Sequence, residues 1–308
     1  MVTALKGKAF IVSALAATSA GLVTATAPAS GAVAGGGTLQ VVAAENFWGS
    51  IAAQLGGDLV HVTSVIANPA TDPHDYEPTA ADARTLAGAQ LVIVNGIGYD
   101  PWAQKLLAAN PVKGRVVLTV GDIVGIEPGG NPHRWYSPGD VQQVIAAIVA
   151  GYKQLDPKDA AAFDRQRTAF ETKALAAYKG EIAAIRRTYS GVPVGASESI
   201  FVPLAQALGL KLLTPSSFLS AISEGTEPTA QDTSTIERQI ARKEIEVWVF
   251  NSQNSTPDVQ RLTDAARKKG IPVTTITETL TPATATFQAW QVAQLRALRA
   301  ALAKAAGR

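Results

Sequence analysis

The sequence predicts an α/β protein of two doubly wound lobes, each built on a short parallel sheet, joined by one long helix. Short runs of Val, Ile and Leu alternate with segments of helical periodicity along the chain. The alternation occurs on both sides of one long helical stretch, residues 156–189. Continuous apolar runs of this kind are typical of parallel strands that helices cover on both faces.

Eight segments have the composition of buried strands, and four of them precede the long helical stretch. They are 40–43, 60–66, 91–94, 116–119, 192–196, 211–213, 247–250 and 273–276. Helical patterns lie between them, several opened by a Pro at the first helical position or by a Thr that can cap. We predict helices at 47–55, 79–87, 101–109, 138–154, 201–208, 229–242, 257–269 and 284–305.

The stretch from Asp156 to Tyr189 has the signature of a single helix. Asp156 can cap it, Pro157 suits its first position, and apolar residues recur at spacings of three, four and seven residues on one face. At 1.5 Å per residue it would be about 50 Å long, enough to link two lobes. An ordinary surface helix of a single domain is the alternative. The predicted organisation is a lobe at 35–155, a linking helix at 156–190 and a lobe at 191–308.

The N-terminus has the pattern of an export signal. Lys6 and Lys8 precede an apolar run at 9–23 that is too short for a comfortable membrane span, and Ala32-Val33-Ala34 is a typical cleavage site. We therefore predict a signal peptide at 1–34 and an exported protein, located in a periplasm or secreted. The sequence contains no cysteine, which excludes disulfides and thiolate metal sites within it and predicts that the protein is not a lipoprotein.

The numbers of basic and acidic residues indicate whether a nucleic-acid partner is expected. Residues 1–34 hold two lysines and no acids, so 25 of the 27 basic residues remain afterwards against 25 acidic ones. A neutral balance without basic clusters gives no support for nucleic-acid binding. We expect no nucleic-acid partner and a monomeric protein.

Four side chains at predicted strand ends stand out, because ligands of open α/β sheets bind beyond the carboxyl ends of the strands. His74 and His133 each follow a proline after the second and fourth strands, and Glu198 and Glu278 follow strands of the second half. Each has an ordinary explanation as well: a solvated loop residue, or for Glu198 an acid that favours a helix dipole. His61 lies within a strand and is expected to be an ordinary structural or surface residue. Two imidazoles and two carboxylates together could ligate one divalent cation.

The segments around these residues carry a resemblance. Residues 72–79 (DPHDYEPT), 131–136 (NPHRWY) and 195–201 (GASESIF) resemble the metal-binding components of ABC importers, in the cluster A-I family that collects zinc, manganese or iron. Residues 45–49 and 224–232 are similar to two further motifs of that family. The resemblance covers nearly all of residues 38–300. It implies two α/β lobes joined by one rigid helix, with the metal in the cleft between them.

The resemblance also implies a ligand set. The first and second histidines of the family match His74 and His133, and the third ligand, His in zinc-type and Glu in manganese-type members, is Glu198 here. The fourth is usually an aspartate after the last strand, and Glu278 is the nearest match although it is one methylene longer. The His-rich loop that zinc members often carry between the first two histidines is absent.

The implied cargo is one divalent transition-metal ion, Mn²⁺ or Zn²⁺, with Fe²⁺ as a third candidate, delivered to an ABC transporter membrane permease without enzymatic activity. Two carboxylates make the set harder than three imidazoles and favour Mn²⁺ as the chemical fit, whereas the Irving–Williams order favours Zn²⁺. The alternatives are a secreted metal-dependent hydrolase using the same cluster, and an adhesin or binder of another solute. The sequence contains no H-E-x-x-H or G-x-S-x-G motif for a hydrolase.

Overall fold

The computed structural model describes residues 37–71, 73 and 76–307. The predicted signal peptide at 1–34 and the candidate ligand His74 lie outside the described residues. Two four-stranded parallel sheets form the framework, one before and one after the long helical stretch, with helices packed around them. The predicted α/β class with two doubly wound parallel sheets is therefore confirmed.

The first sheet has the strand order β2-β1-β3-β4, and all of its strand pairs are parallel. The chain runs from β1 to β2 on one side of β1 and then crosses to β3 on the other side. This reversal of the strand order places a ligand crevice at the carboxyl ends of these strands. The elements are β1 (Leu39–Glu45), α1 (Asn46–Gly56), β2 (Val60–Ile66), α2 (Ala80–Ala87), β3 (Leu91–Val94), α3 (Pro101–Ala109), β4 (Val116–Thr119), α4 (Val120–Val124) and α5 (Pro138–Leu155).

The second sheet repeats this arrangement with the order β6-β5-β7-β8, again with parallel pairs. The central strand β7 is buried at every position, as expected of a strand covered on both faces. The elements are β5 (Pro193–Ala196), α8 (Val202–Leu208), β6 (Lys211–Leu212), α9 (Ser216–Ser223), α10 (Ala230–Ala241), β7 (Val247–Asn251), α11 (Pro257–Lys268), β8 (Val273–Ile276) and α12 (Phe287–Ala305).

The linking stretch differs from the single uninterrupted helix that the sequence predicts. It consists of a 3₁₀ turn at Pro157–Asp159, α6 at Ala160–Ala169, a π-helical turn at Phe170–Ala174 and α7 at Ala176–Tyr189. Leu175 N donates to Phe170 O at 2.9 Å, five residues back. The wider turn has a physical reason: it brings Leu175 onto the same buried face as Phe170, which a regular α-helix would not do. The lobe boundaries predicted around this stretch stay a prediction.

One continuous hydrophobic cluster runs through both halves of the described chain, from Leu39 on β1 to Leu302 on α12. The last helix also bonds the two halves directly: Phe287 N donates to Ser50 Oγ at 2.9 Å, and the side-chain amides of Gln54 and Gln288 are paired at 2.7 and 3.1 Å. Among the residues that the structure describes, no helix is both long and apolar enough to cross a membrane.

Candidate metal centre

Three of the four predicted ligands meet in the structure. Single ligand atoms of His133, Glu198 and Glu278 all lie within 4.8 Å of one another. His133 Nε2 is 3.6 Å from Glu198 Oε1 and 3.5 Å from Glu278 Oε2. His133 belongs to the first half of the chain and the two carboxylates to the second, so the cluster joins the halves. His74, the fourth predicted ligand, lies outside the described residues.

The sheet topology explains why the two carboxylates are neighbours. Glu198 comes two residues after the end of β5, and Glu278 comes two residues after the end of β8. β5 and β8 both pair with β7, one on each side, so their carboxyl ends open at the same edge of the sheet. His133 is held opposite them by the loop that leads into the 3₁₀ turn Arg134–Tyr136.

The ordinary explanations for these acids do not fit the structure. Glu198 precedes a short 3₁₀ turn, but its side chain makes no capping hydrogen bond there. Glu278 is not a solvated loop acid, since it is 0% exposed, as are Glu198 and His133. His61, by contrast, is exposed on β2 and takes no part in the cluster. Two buried carboxylates beside an imidazole make a donor set that suits a divalent cation.

The surroundings of His133 keep its ring neutral and oriented. Asn131 Oδ1 accepts from His133 N at 3.0 Å and lies 2.9 Å from Nδ1, which fits the tautomer with the proton on Nδ1 and directs the Nε2 lone pair at the carboxylates. The rings of Tyr99 and Trp135 pack edge-on against it. Burial lowers the pKa of His133 to about 4, partly opposed by the charge of Glu198. A neutral imidazole is the form that binds a metal.

Asn251 and Tyr99 complete the centre, and the sequence analysis missed both. Asn251 Nδ2 donates to Glu198 Oε2 at 2.5 Å and to Glu278 Oε1 at 2.8 Å, and Tyr99 Oη donates to Glu278 Oε2 at 2.9 Å. Burial, together with the neighbouring carboxylates, raises the pKa of Tyr99 and keeps its hydroxyl a donor. Asn251 is the last residue of β7, so the strand-end rule that selected the ligands could have found it as well.

A second pair of buried carboxyl groups lies near the carboxyl edge of the first sheet. Glu45, the last residue of β1, is 0% exposed, and its pKa is raised well above the usual value by burial and by the neighbouring Asp100. Asp100 accepts from Asn95 N at 2.6 Å and Gly96 N at 2.7 Å, and burial raises its pKa to about 6. The two groups can therefore share one proton. They do not belong to the metal-ligating cluster.

A cavity of about 800 Å³ adjoins the centre, and Tyr99, Asn131 and Ser199 are among its lining residues. At its inner edge Asn131 Nδ2 donates to Ser199 O at 2.7 Å, which links the loop of His133 to the residue after Glu198. Both residues of this hydrogen bond line the cavity. The chemistry that the arrangement supports is the holding of one desolvated cation by nitrogen and oxygen donors.

The chain is similar to known metal-binding proteins. The iron-binding protein YfeA of Yersinia pestis is 30% identical over 172 residues, 52% of this chain and 54% of that relative, so the match spans about half of each. The metal ABC transporter substrate-binding lipoprotein FimA of Streptococcus parasanguinis is 26% identical over 260 residues, 77% of this chain and 79% of the relative.

The fold is that of solved metal-binding proteins. The Mn-bound periplasmic metal binding protein of candidatus liberibacter asiaticus superposes with a TM-score of 0.69 at 21% identity, covering 86% of this chain and 100% of that one. The family model of ZnuA, the zinc-uptake complex component A, periplasmic, matches residues 41–301. This chain belongs to the ZnuA family of metal-binding components of ABC importers.

Proposed function

We propose that this protein captures one divalent transition-metal ion outside the cytoplasm and delivers it to the membrane permease of an ABC importer. The observation that carries the proposal is the convergence of His133, Glu198 and Glu278 from the two halves of the chain onto one buried point. Membership of the family supports the transport role, since FimA is described as a substrate-binding protein of a metal ABC transporter.

We infer that His74 supplies the fourth donor. Its loop follows β2, and this loop contacts the centre's surroundings five residues earlier, where Gln253 Nε2 donates to Pro69 O. Gln253 N in turn donates to Asn251 Oδ1 at 3.0 Å. Pro69, five residues before His74 in the sequence, is therefore bonded to Gln253, which in turn bonds the residue that holds both carboxylates.

The donor set of two imidazoles and two carboxylates suits Mn²⁺, Zn²⁺ and Fe²⁺. The relatives cover the same range, because the family is described as taking up zinc, YfeA as binding iron and the structural neighbour as Mn-bound. We propose that the ion is cargo and that the protein performs no catalysis. The hydrolase alternative needs an open coordination position for water, and four protein donors would fill a tetrahedral site.

We further propose that the protein is exported through the leader-like segment at 1–34, in keeping with the periplasmic description of the family. FimA is described as a lipoprotein, whereas the 308 residues here contain no cysteine. We also propose that it acts as a monomer without a nucleic-acid partner.

Equilibrium dialysis against Mn²⁺, Zn²⁺ and Fe²⁺, with elemental analysis, tests the metal-capture proposal. We expect one tightly bound ion per chain and a higher melting temperature with metal, because the ion binds selectively to the folded state. His133→Ala should lose most of this shift, whereas His61→Ala, an exposed histidine, should keep it. Zero or two tight ions would contradict the proposal, and metal-dependent turnover in a hydrolase screen would favour the alternative.

A further inference from the structure

The hydroxyl of Tyr136 links the two backbone segments that carry His133 and Glu278. Tyr136 ends the 3₁₀ turn that follows His133, and its N donates to His133 O at 3.2 Å. Its Oη donates to Thr277 O at 2.8 Å, across 141 residues of chain. Thr277 directly precedes Glu278. One side chain of the first half therefore bonds the residue next to a candidate ligand of the second half.

Thr277 is held in this place by the last helix, α12, as well. Trp290 Nε1 donates to Thr277 Oγ1 at 2.8 Å, and Thr277 N donates to Gln294 Oε1 at 3.0 Å. Gln294 Oε1 also accepts from Tyr136 Oη at 3.0 Å, so the phenol hydroxyl is shared between this oxygen and Thr277 O. The rings of Tyr136 and Trp290 pack together, with 5.6 Å between their centroids. The N, O and Oγ1 atoms of Thr277 are thus all bonded.

Burial makes these bonds determine the position of the segment. Tyr136, Thr277 and Trp290 are all buried. A buried donor or acceptor that loses its partner stays unsatisfied, and this costs free energy. Moving Thr277 away from Tyr136 would strand a phenol hydroxyl and a backbone carbonyl at the same time. The bonds therefore fix the distance between the segment of His133 and the segment of Glu278.

We propose that Tyr136 is a positioning residue of the metal centre, which sets the spacing of His133 and Glu278 before the ion binds. The inference rests on the proposed function and uses two ligand atoms with a defined position: His133 Nε2 and Glu278 Oε2 lie 3.5 Å apart. Without the hydroxyl, the two segments can separate in the metal-free protein. The ion then has to bring the ligands together again, and this cost reduces its affinity.

The test uses Tyr136→Phe in the full chain, which keeps the buried ring and removes only the hydroxyl. Tyr152→Phe is the matched control, because Tyr152 is also buried and its Oη donates to Ala52 O at 2.9 Å within the first half. Equilibrium titration and stopped-flow displacement by a chelator measure the affinity and the release rate of Zn²⁺ and Mn²⁺. Melting temperatures of the metal-free proteins measure the structural loss, which should be similar in the two variants.

Gln294→Met is a second variant for the same link. It removes the oxygen that accepts from both Tyr136 and Thr277, and it leaves the aromatic side chains unchanged. It should weaken the binding of both metals in the same direction as Tyr136→Phe. This variant decides the question if Tyr136→Phe does not fold.

We expect Tyr136→Phe to weaken the binding of Zn²⁺ and Mn²⁺ by about 5- to 10-fold, the usual effect of one lost buried hydrogen bond, mainly through faster release. Tyr152→Phe should bind both metals like the parent. Unchanged affinity in a folded Tyr136→Phe, or in Gln294→Met where Tyr136→Phe does not fold, would overturn the role of Tyr136. An equal loss in Tyr152→Phe would do the same. A parent that binds neither metal would overturn the proposed function itself, which separates the two failures.

Discussion

Asn131 Nδ2 donates a hydrogen bond of 2.7 Å to the backbone oxygen of Ser199. The same side chain uses its Oδ1 to hold His133, through the backbone N at 3.0 Å and with Nδ1 at 2.9 Å. One amide therefore orients an imidazole ligand and ties its loop to the residue that follows Glu198. The two tasks use different ends of the side chain, so they can be separated by mutation.

Asn131→Ala removes both tasks and should lower metal affinity by about 10- to 100-fold, as expected when the partner of a ligating imidazole is lost. Asn131→Asp keeps an acceptor for His133 but removes the donor to Ser199. It should recover most of the affinity while releasing metal faster than the parent. Stopped-flow displacement with a chelator, combined with equilibrium titration, measures both quantities. Equal affinity losses in the two variants would show that the acceptor has no separate role.

Glu278→Gln should abolish most of the metal binding and raise the melting temperature of the metal-free protein. The metal-free gain is expected because Glu278 is 0% exposed beside the equally buried Glu198, so removing one charge relieves their repulsion. Calorimetry with and without metal checks both effects. Glu127→Gln is the control, since it makes the same change at an exposed acid. If Glu278→Gln retained the parent's affinity, Glu278 would not be a ligand.

His133 should make the metal-free protein less stable as the pH falls from about 6.5 towards 4. Its pKa is about 4 in the folded state, against an ordinary value of 6.5, so between these values the unfolded chain binds a proton that the folded chain excludes. The lost free energy of unfolding is about 3 kcal/mol when the pH reaches the folded pKa.

Denaturant titrations of the parent and of His133→Gln across this range isolate the contribution, because other buried groups titrate in both proteins. The parent should lose stability relative to the variant as the pH falls. A constant difference between the two proteins would show that the ring is already charged in the folded state.

Glu45 should have the opposite dependence on pH. Burial raises its pKa in the folded state, so the unfolded chain releases a proton above about pH 4.5 that the folded chain keeps, and stability falls as the pH rises. Glu45→Gln removes this penalty and should therefore stabilise the protein at pH 7 and have less effect at pH 4. Melting temperatures at both values test this, with Glu77→Gln as the exposed control. A stabilisation of the same size at pH 4 and pH 7 would contradict a buried, proton-holding Glu45.

The framework could be predicted from the sequence because most strands are short apolar runs, and β3 and β7 are buried at every position. β2, β3, β4, β8 and α3 have the predicted bounds, and most other elements differ by one to three residues at an end. The short helices α4 and α9 were not predicted, since neither has the length over which periodicity can be recognised. The π-helical turn depends on Leu175 reaching the core, which is a property of the packing rather than of local composition.

The candidate ligands could be predicted because the sequence has only three histidines. In addition, ligands of open α/β sheets bind in the few loops beyond the carboxyl ends of the strands. The sequence could not show that Glu278 and Glu198 are neighbours, which depends on the strand order around β7. It also could not select Asn251 and Tyr99, because an amide and a phenol have many ordinary uses in a fold. Their roles follow from distances across 53 and 179 residues of chain.

The hydrophobic cluster that runs from Leu39 to Leu302 has a consequence for how the ion leaves. A rigid-body opening of the two halves would break the packing of this shared core and expose its aromatic side chains to water. Escape past the hydrogen bond between Asn131 and Ser199, which line the cavity, would leave that core closed to water. Amide hydrogens around Asn131 and Ser199 should then exchange with deuterium far sooner than those of the strands, and bound metal should slow the exchange around these two residues alone.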